Sequence, residues 1–300
     1  MYDAAFAQDV ATAWQVEAQA PLVTSPGSGR VFEIRLTPRL SARLKFYPKA
    51  QAERVAARAR WQEALADTGF ACPWPQRTRN GDLVVHLKQT PSVAVMEQAI
   101  QGQPVQIPED PDAALKTYGK LAALLADFHL TAESIAPLPF PAKPDPDRQY
   151  NPDAAIAYFE DLGQTEVAQL LCRIAGELQN ASDDTNVRLG NLNLSETLDS
   201  HDTLYLTDMD AAGTGDPIRD LSQILALEND PDRLGPVFEV LCQSYESGGI
   251  LLKDRDKVSI LCGAIGHNVD IFQRGGCDNP IDQTQPAARI LAASALLSSL

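Results

Sequence analysis

Two aspartates, Asp208 and Asp210, flank Met209 at the end of the apolar run TLYLT, within the stretch RLGNLNLSETLDSHDTLYLTDMDAAGTGDPIRDL (residues 188–221). In an extended chain, residues two apart point the same way, so the pair could share a divalent cation; hard carboxylate oxygens suit magnesium. The alternative is that Asp208 caps a turn and Asp210 is solvated. Upstream, the stretch has the layout of a catalytic loop, yet its polar turn places Asn191 where a carboxylate base is expected. An amide cannot take a proton from a hydroxyl near neutral pH. A further candidate is Lys45 in ARLKFYP. An ammonium inside an apolar strand needs a partner, because burying it alone is costly; the alternative is an edge lysine facing solvent. Gly27 and Gly29 in PGSGRVFEI either bring backbone N–H groups close to a phosphate or simply make a turn. The GxxxxGK[ST] pattern of a Walker-type phosphate loop is absent.

The elements that must carry these residues are legible from periodicity. VFEIRL and ARLKFY alternate as half-buried strands, and SVAVME and GDLVVHL read as two more, the latter after an RNGD turn. With Pro26, Gly27, Gly29 and Pro38 between the first strands, an antiparallel meander is expected. Residues 3–18 and 51–68 have helical patterns. From Asp110, a good N-cap ahead of Pro111, the spacing of Leu115, Tyr118, Leu121, Leu125 and Phe128 predicts a long amphipathic helix ending near His129, itself expected to be a core or capping residue. A Pro-rich segment over 134–152 follows, then helices in DAAIAYFEDL and TEVAQLLCRIAGELQ. The 188–221 stretch reads as two short strands, and three or four helices finish the chain, the first capped by Asp216. The order is an α+β one: a small antiparallel-sheet lobe over 1–96, a connector over 97–102, and a larger helical lobe over 103–300 with a loop insert at 187–221.

Composition bounds what such a protein does. The chain has 300 residues, 44% of them hydrophobic, enough for one large domain or two lobes. Its formal net charge of −15 disfavours general binding to nucleic acid or an anionic membrane, which needs a basic face, but not a nucleotide pocket with a few local cations. Five scattered cysteines (Cys72, Cys172, Cys242, Cys262, Cys277) form no CxxC pair. The N-terminal residues lack the basic and apolar regions of a signal peptide, and no apolar run reaches bilayer-spanning length. A cytoplasmic, reduced protein is expected.

Taken together, a glycine-bearing hairpin, a strand lysine, a helix, VME leading into a connector, a helix ending LADFH, a GN turn and a strand ending in Asp before DPIRDL make a specific order. The chain resembles the aminoglycoside/choline-kinase type of phosphotransferase over roughly residues 20–275. FACPWPQRTRNGDLVV, YGKLAALLADFH and, best of all, LTDMDAAGTGDPIRDL carry the resemblance. It implies a two-lobed, protein-kinase-like fold that binds ATP and Mg2+. Gly27 and Gly29 would lie over the phosphates, with Lys45 on the α- and β-phosphates. Glu97 to Ile100 would be the hinge whose backbone meets adenine. Asp208 would hold the metal, Asp210 would be the second acidic residue, and Asp220 would brace the catalytic loop.

Departures from that pattern are equally specific. The family's His-Gly-Asp turn is Leu189-Gly190-Asn191 here, and its metal-binding Asn, five residues on, is Glu196, a carboxylate still able to ligate magnesium. The usual glutamate partner of the lysine falls near Arg58, with Glu53 and Glu63 out of register. Two functions are therefore expected from different classes. One is an ATP/Mg-dependent transferase acting weakly, or no longer, on a small hydroxylated acceptor, with Glu196 as the residue able to compensate for Asn191. The other is an inactive pseudokinase serving as a nucleotide-binding or protein-binding scaffold.

Overall fold

A computed structural model of the chain describes residues 10, 12–14, 23–24, 31–37, 40–87, 90–140, 152–161, 163, 165–179, 186–274 and 281–299. The chain divides into two compact units. The first comprises Met1–Val105, Leu138–Phe140 and Leu194–Asp210, and the second Gln106–Pro137, Pro141–Asn193 and Ala211–Leu300.

The first unit is built on an antiparallel sheet of β1 (Val23–Thr24), β2 (Val31–Thr37), β3 (Leu40–Pro48), β4 (Val85–His86) and β5 (Ser92–Gln98), in the order β1-β2-β3-β5-β4. Side chains alternate across it, as the period of two requires. Phe32, Ile34, Ala42, Leu44, Phe46, Ala94 and Met96 form one apolar core with Val10 and Trp14. Val93 and Val95 meet Val55 and Ala59 of helix α1 (Ala52–Asp67) in a second. Odd-numbered residues of β3 therefore belong with α1. GDLVVHL pairs over Val85 and His86 only, a correction to the expected full strand. The N–H of Asp82 is bonded to the Thr78 hydroxyl and its carbonyl to the Thr78 N–H, so the leading residues are used in a turn. Most of the helix expected over 3–18 and the hairpin holding Gly27 and Gly29 lie outside the described residues. Strands β6 (Gln103–Pro104), β8 (Thr197–Ser200) and β9 (Thr203–Leu206) make a three-stranded antiparallel sheet in the order β6-β8-β9. The turn between β8 and β9 puts His201 and Asp202 at φ 52° and 66°, the backbone of a tight two-residue hairpin.

The second unit is helical, with one small ladder of β7 (Val187–Arg188) and β10 (Gly213–Thr214). Its helices are α2 (Pro111–Glu133), α3 (Pro152–Asp161), α4 (Thr165–Gln179), α5 (Ile218–Leu225), α6 (Leu234–Ser247), α7 (Asp254–Arg274) and α8 (Ile281–Ser299). Helix α2 starts where its cap predicts: the Asp110 carboxylate accepts from the Ala113 N–H at 2.8 Å, and Pro111 occupies the first turn. Tyr118, Leu121, Leu125 and Phe128 are buried along it, and α2 packs along α6, α5 on α7 and α7 on α8. At the head of α5, Asp216 accepts from the Ile218 N–H at 3.0 Å.

Candidate functional site

On β3 the alternation puts Arg43, Lys45 and Tyr47 on the α1 face, and each meets an acidic residue brought in by another element. Arg43 reaches Glu196 at 3.2 Å. Lys45 Nζ is ion-paired with Glu97 of β5 at 3.1 Å and lies 3.8 Å from Asp208. The Tyr47 hydroxyl donates to Asp210 at 2.9 Å. Arg58 of α1 completes the cluster: it donates to the Asp210 carbonyl, approaches the Asp210 carboxylate at 3.4 Å and lies 5.5 Å from the centre of the Tyr47 ring. Lys45 is thus not an edge residue facing solvent. It sits on an interior strand, its side chain only 8% exposed and that of Glu97 4%. Burial works to discharge the Lys45 ammonium, but Glu97 and the other neighbouring acids outweigh it and hold the pKa well above the ordinary lysine value. Burial raises the Glu97 carboxyl, with Lys45 opposing it. Burial pushes the Tyr47 phenol up as well, reinforced by Asp210.

The Asp-Met-Asp segment is not a strand with two parallel carboxylates, a correction to the extended-chain reading. Strand β9 ends at Leu206, and beyond it the Asp208 carboxylate accepts the Asp210 N–H at 3.0 Å, closing a turn. Asp208, 44% exposed, faces Lys45, whereas Asp210 is held by Tyr47 and Arg58. Glu196 is also engaged, by Arg43 and by the Thr207 hydroxyl at 3.3 Å. Of the expected hinge, Glu97 and Gln98 are the last residues of β5, and the N–H groups of Gln98 and Ala99 donate to the carbonyls of Trp74 and Ser41. Ile100 follows immediately. Glu63, an out-of-register candidate partner for the lysine, is paired with Arg77 at 2.5 Å.

Within the helical unit, the turn holding Asn191 is built around Asp220, which is fully buried on α5. Its carboxylate accepts from the Leu189 N–H at 2.6 Å and the Gly190 N–H at 3.2 Å, meets Arg188 at 3.3 Å, and bonds His129 Nε2 at 3.1 Å. Burial alone would raise its pKa, but Arg188 and then His129, with the Leu189 amide, hold it below the ordinary aspartate value. His129 is thereby more than a core filler: its other ring nitrogen bonds the Tyr245 hydroxyl at 2.7 Å. Gln223, one turn along α5, spans the same loop, accepting from Leu192 N–H at 2.7 Å and donating to the Gly190 carbonyl at 2.8 Å. Gly190 has a φ of +85°, and a Cβ there would stand 2.6 Å from the Ala211 carbonyl oxygen, so only glycine fits. Asn191, partly exposed, follows this braced backbone directly.

Sequence reasoning missed Arg43, the partnerships of Glu97 and Arg58, and the role of Gln223. For Arg43 the signal was present, since it shares the parity of Lys45 in the strand. Glu97 likewise shares the parity of Val93 and Val95, but nothing local told which strand would lie beside β5.

No family model matches the sequence, and no curated protein matches it. Solved structures do share its fold. The amicoumacin kinase hAmiN, in complex with AMP-PNP, Ca2+ and Ami, has a TM-score of 0.70 at 14% identity, covering 99% of this chain and 94% of that one. A microcompartment-associated aminopropanol kinase has a TM-score of 0.67 at 17% identity, over 99% and 97% of the two chains. The macrolide 2'-phosphotransferase MphH from Brachybacterium faecium has 0.59 at 17%, over 98% and 97%. The chain therefore has the α+β, protein-kinase-like fold of these small-molecule phosphotransferases.

Proposed function

We propose that the chain is a small-molecule kinase homologue that binds ATP with magnesium, and whose transfer to a small hydroxylated acceptor is weak or lost. The observation that carries this is the buried Lys45, held charged by Glu97 on an interior strand, with the half-exposed carboxylate of Asp208 at 3.8 Å. A fixed ammonium suits a polyphosphate, and an accessible carboxylate suits a hard divalent cation. Among the described residues no group of three or more His, Cys, Asp or Glu forms a metal nest. Magnesium at Asp208 would therefore need phosphate oxygens as well, the usual way that ion is held with nucleotides. When bound, the metal supplies charge neutralisation on the phosphates. Lys45 orients the phosphate chain, backbone at the Ile100 end of the Glu97–Ile100 hinge meets the base, and Asp220 keeps the Asn191 turn rigid. What the chain lacks is a proton acceptor at position 191.

The scaffold reading is favoured by a second observation. Arg43–Glu196 and Arg58–Asp210 are ion pairs, so the carboxylate that could compensate for Asn191 is already engaged by a cation. Thermal unfolding with ATP, each time with and without magnesium, tests the nucleotide reading. A magnesium-dependent rise in Tm is expected; no shift with any nucleotide would leave a fold kept for a protein partner.

A further inference from the structure

We infer that Glu97 is the positioning residue of the phosphate-binding lysine, and that helix α1, which carries Arg58, instead fixes the Asp208–Asp210 turn. The inference rests on the nucleotide-binding reading above and assigns two residues within it. Register makes the first part a property of the sheet. Arg43 lies opposite Glu97 and Lys45 opposite Val95, so Lys45 and Glu97 are diagonal neighbours on adjacent antiparallel strands. Long side chains bridge such a diagonal readily, and here they meet at 3.1 Å with both side chains buried. The counter-ion therefore travels with the lysine. No docking of a helix is needed to complete the pair.

Charge makes the second part necessary. Arg58 cannot serve a lysine, and a buried guanidinium needs its own acid. It finds Asp210, gripping both the main-chain carbonyl and the carboxylate, while Tyr47 bonds the same carboxylate oxygen at 2.9 Å. Arg43, Lys45 and Arg58 are thus matched by Glu196, Glu97 and Asp210. Asp208 is the additional acid, and its position depends on the turn that Arg58 anchors. Lysine placement belongs to the sheet, whereas the metal-carboxylate turn is held by Arg58 of α1 together with Tyr47 of β3.

Different side chains in the two roles predict separable defects. Binding of ATP and of adenosine, with and without magnesium, is measured by calorimetry on the full chain and on Glu97→Gln, Glu97→Asp and Arg58→Met. Glu97→Gln is expected to weaken magnesium-free ATP by about ten-fold or more, the scale of a lost charge-assisted contact, with adenosine changed by less than about two-fold. Glu97→Asp, which keeps the charge but shortens the reach, shows a smaller loss of the same kind and serves if the amide variant does not fold. Arg58→Met leaves magnesium-free ATP near wild type and removes most of the gain from magnesium. Equal loss of ATP and adenosine in both Glu97 variants, or unchanged ATP binding in both, overturns the inference. So does an Arg58→Met variant that loses magnesium-free ATP as Glu97→Gln does. A wild-type chain that binds no ATP rejects the nucleotide reading itself and the inference with it, an outcome distinct from wild-type binding that the variants leave intact.

Discussion

Asn191 differs from a catalytic aspartate in basicity, not in shape, so its replacement is a direct test of what the turn still does. Losing a general base typically costs about 10²–10⁴ in rate. Asn191→Asp is therefore expected to raise turnover of ATP with a hydroxylated acceptor by a comparable factor, read by steady-state phosphate release. A variant that binds Mg-ATP yet stays at zero would reject the enzyme reading. Asp220 is the other residue with a decisive charge. Asp220→Asn should lower stability by about 3–5 kcal/mol in urea unfolding, because the buried carboxylate is the counter-ion of half-buried Arg188 and the partner of buried His129. The pH dependence has a definite sign. The folded carboxyl titrates below its unfolded value, so its stabilisation is fully present above the ordinary aspartate range and is lost as pH falls through the depressed folded value. The stability gap between wild type and Asp220→Asn is thus expected to be flat above about pH 5 and to shrink below about pH 4. A gap independent of pH down to the acid transition would show that Asp220 acts by packing alone.

The element that sets the Asn191 turn is a loop held from one helix. Asp220 and Gln223 are three residues apart on α5, so they lie on one face and reach successive peptide groups of the turn. Gly190 lets that backbone pass the Ala211 carbonyl. Gly190→Ala forces a side chain into positive φ and against the carbonyl, and is expected to cost at least about 1–2 kcal/mol in urea unfolding. If the strained turn alone absorbs the change, the loss should be accompanied by faster amide exchange at Leu189 and Leu192; unchanged stability and exchange would mean the turn is not rigid. The helix start at Asp110–Pro111, the strand alternation of residues 42–47 and the cap at Asp216 were all legible in sequence, since each depends on residues within one turn or one strand. The strand expected across GDLVVHL was not, because the Thr78–Asp82 bonds that shorten it compete with an equally plausible pairing.

At the scale of the molecule, nucleotide binding should register in global stability. Ligand at 100 times its Kd adds about 2.7 kcal/mol, a shift of about 2–4 °C or less for a chain of this size. Among the described residues no helix is long and apolar enough to cross a membrane. The sequence by itself determined the α+β order of elements, the amide at 191 and the identities of Lys45, Asp208 and Asp220, since order, periodicity and residue type are properties of the chain as a string; the protein-kinase-like fold was what its resemblance to the aminoglycoside/choline-kinase type implied. Tertiary structure alone decided the partners: Glu97 for Lys45, and Asp210 for Arg58, 152 residues away. The reason is physical. A buried charge selects whichever opposite charge the packing of strands and helices brings within a few ångströms, and that proximity is written in no local pattern.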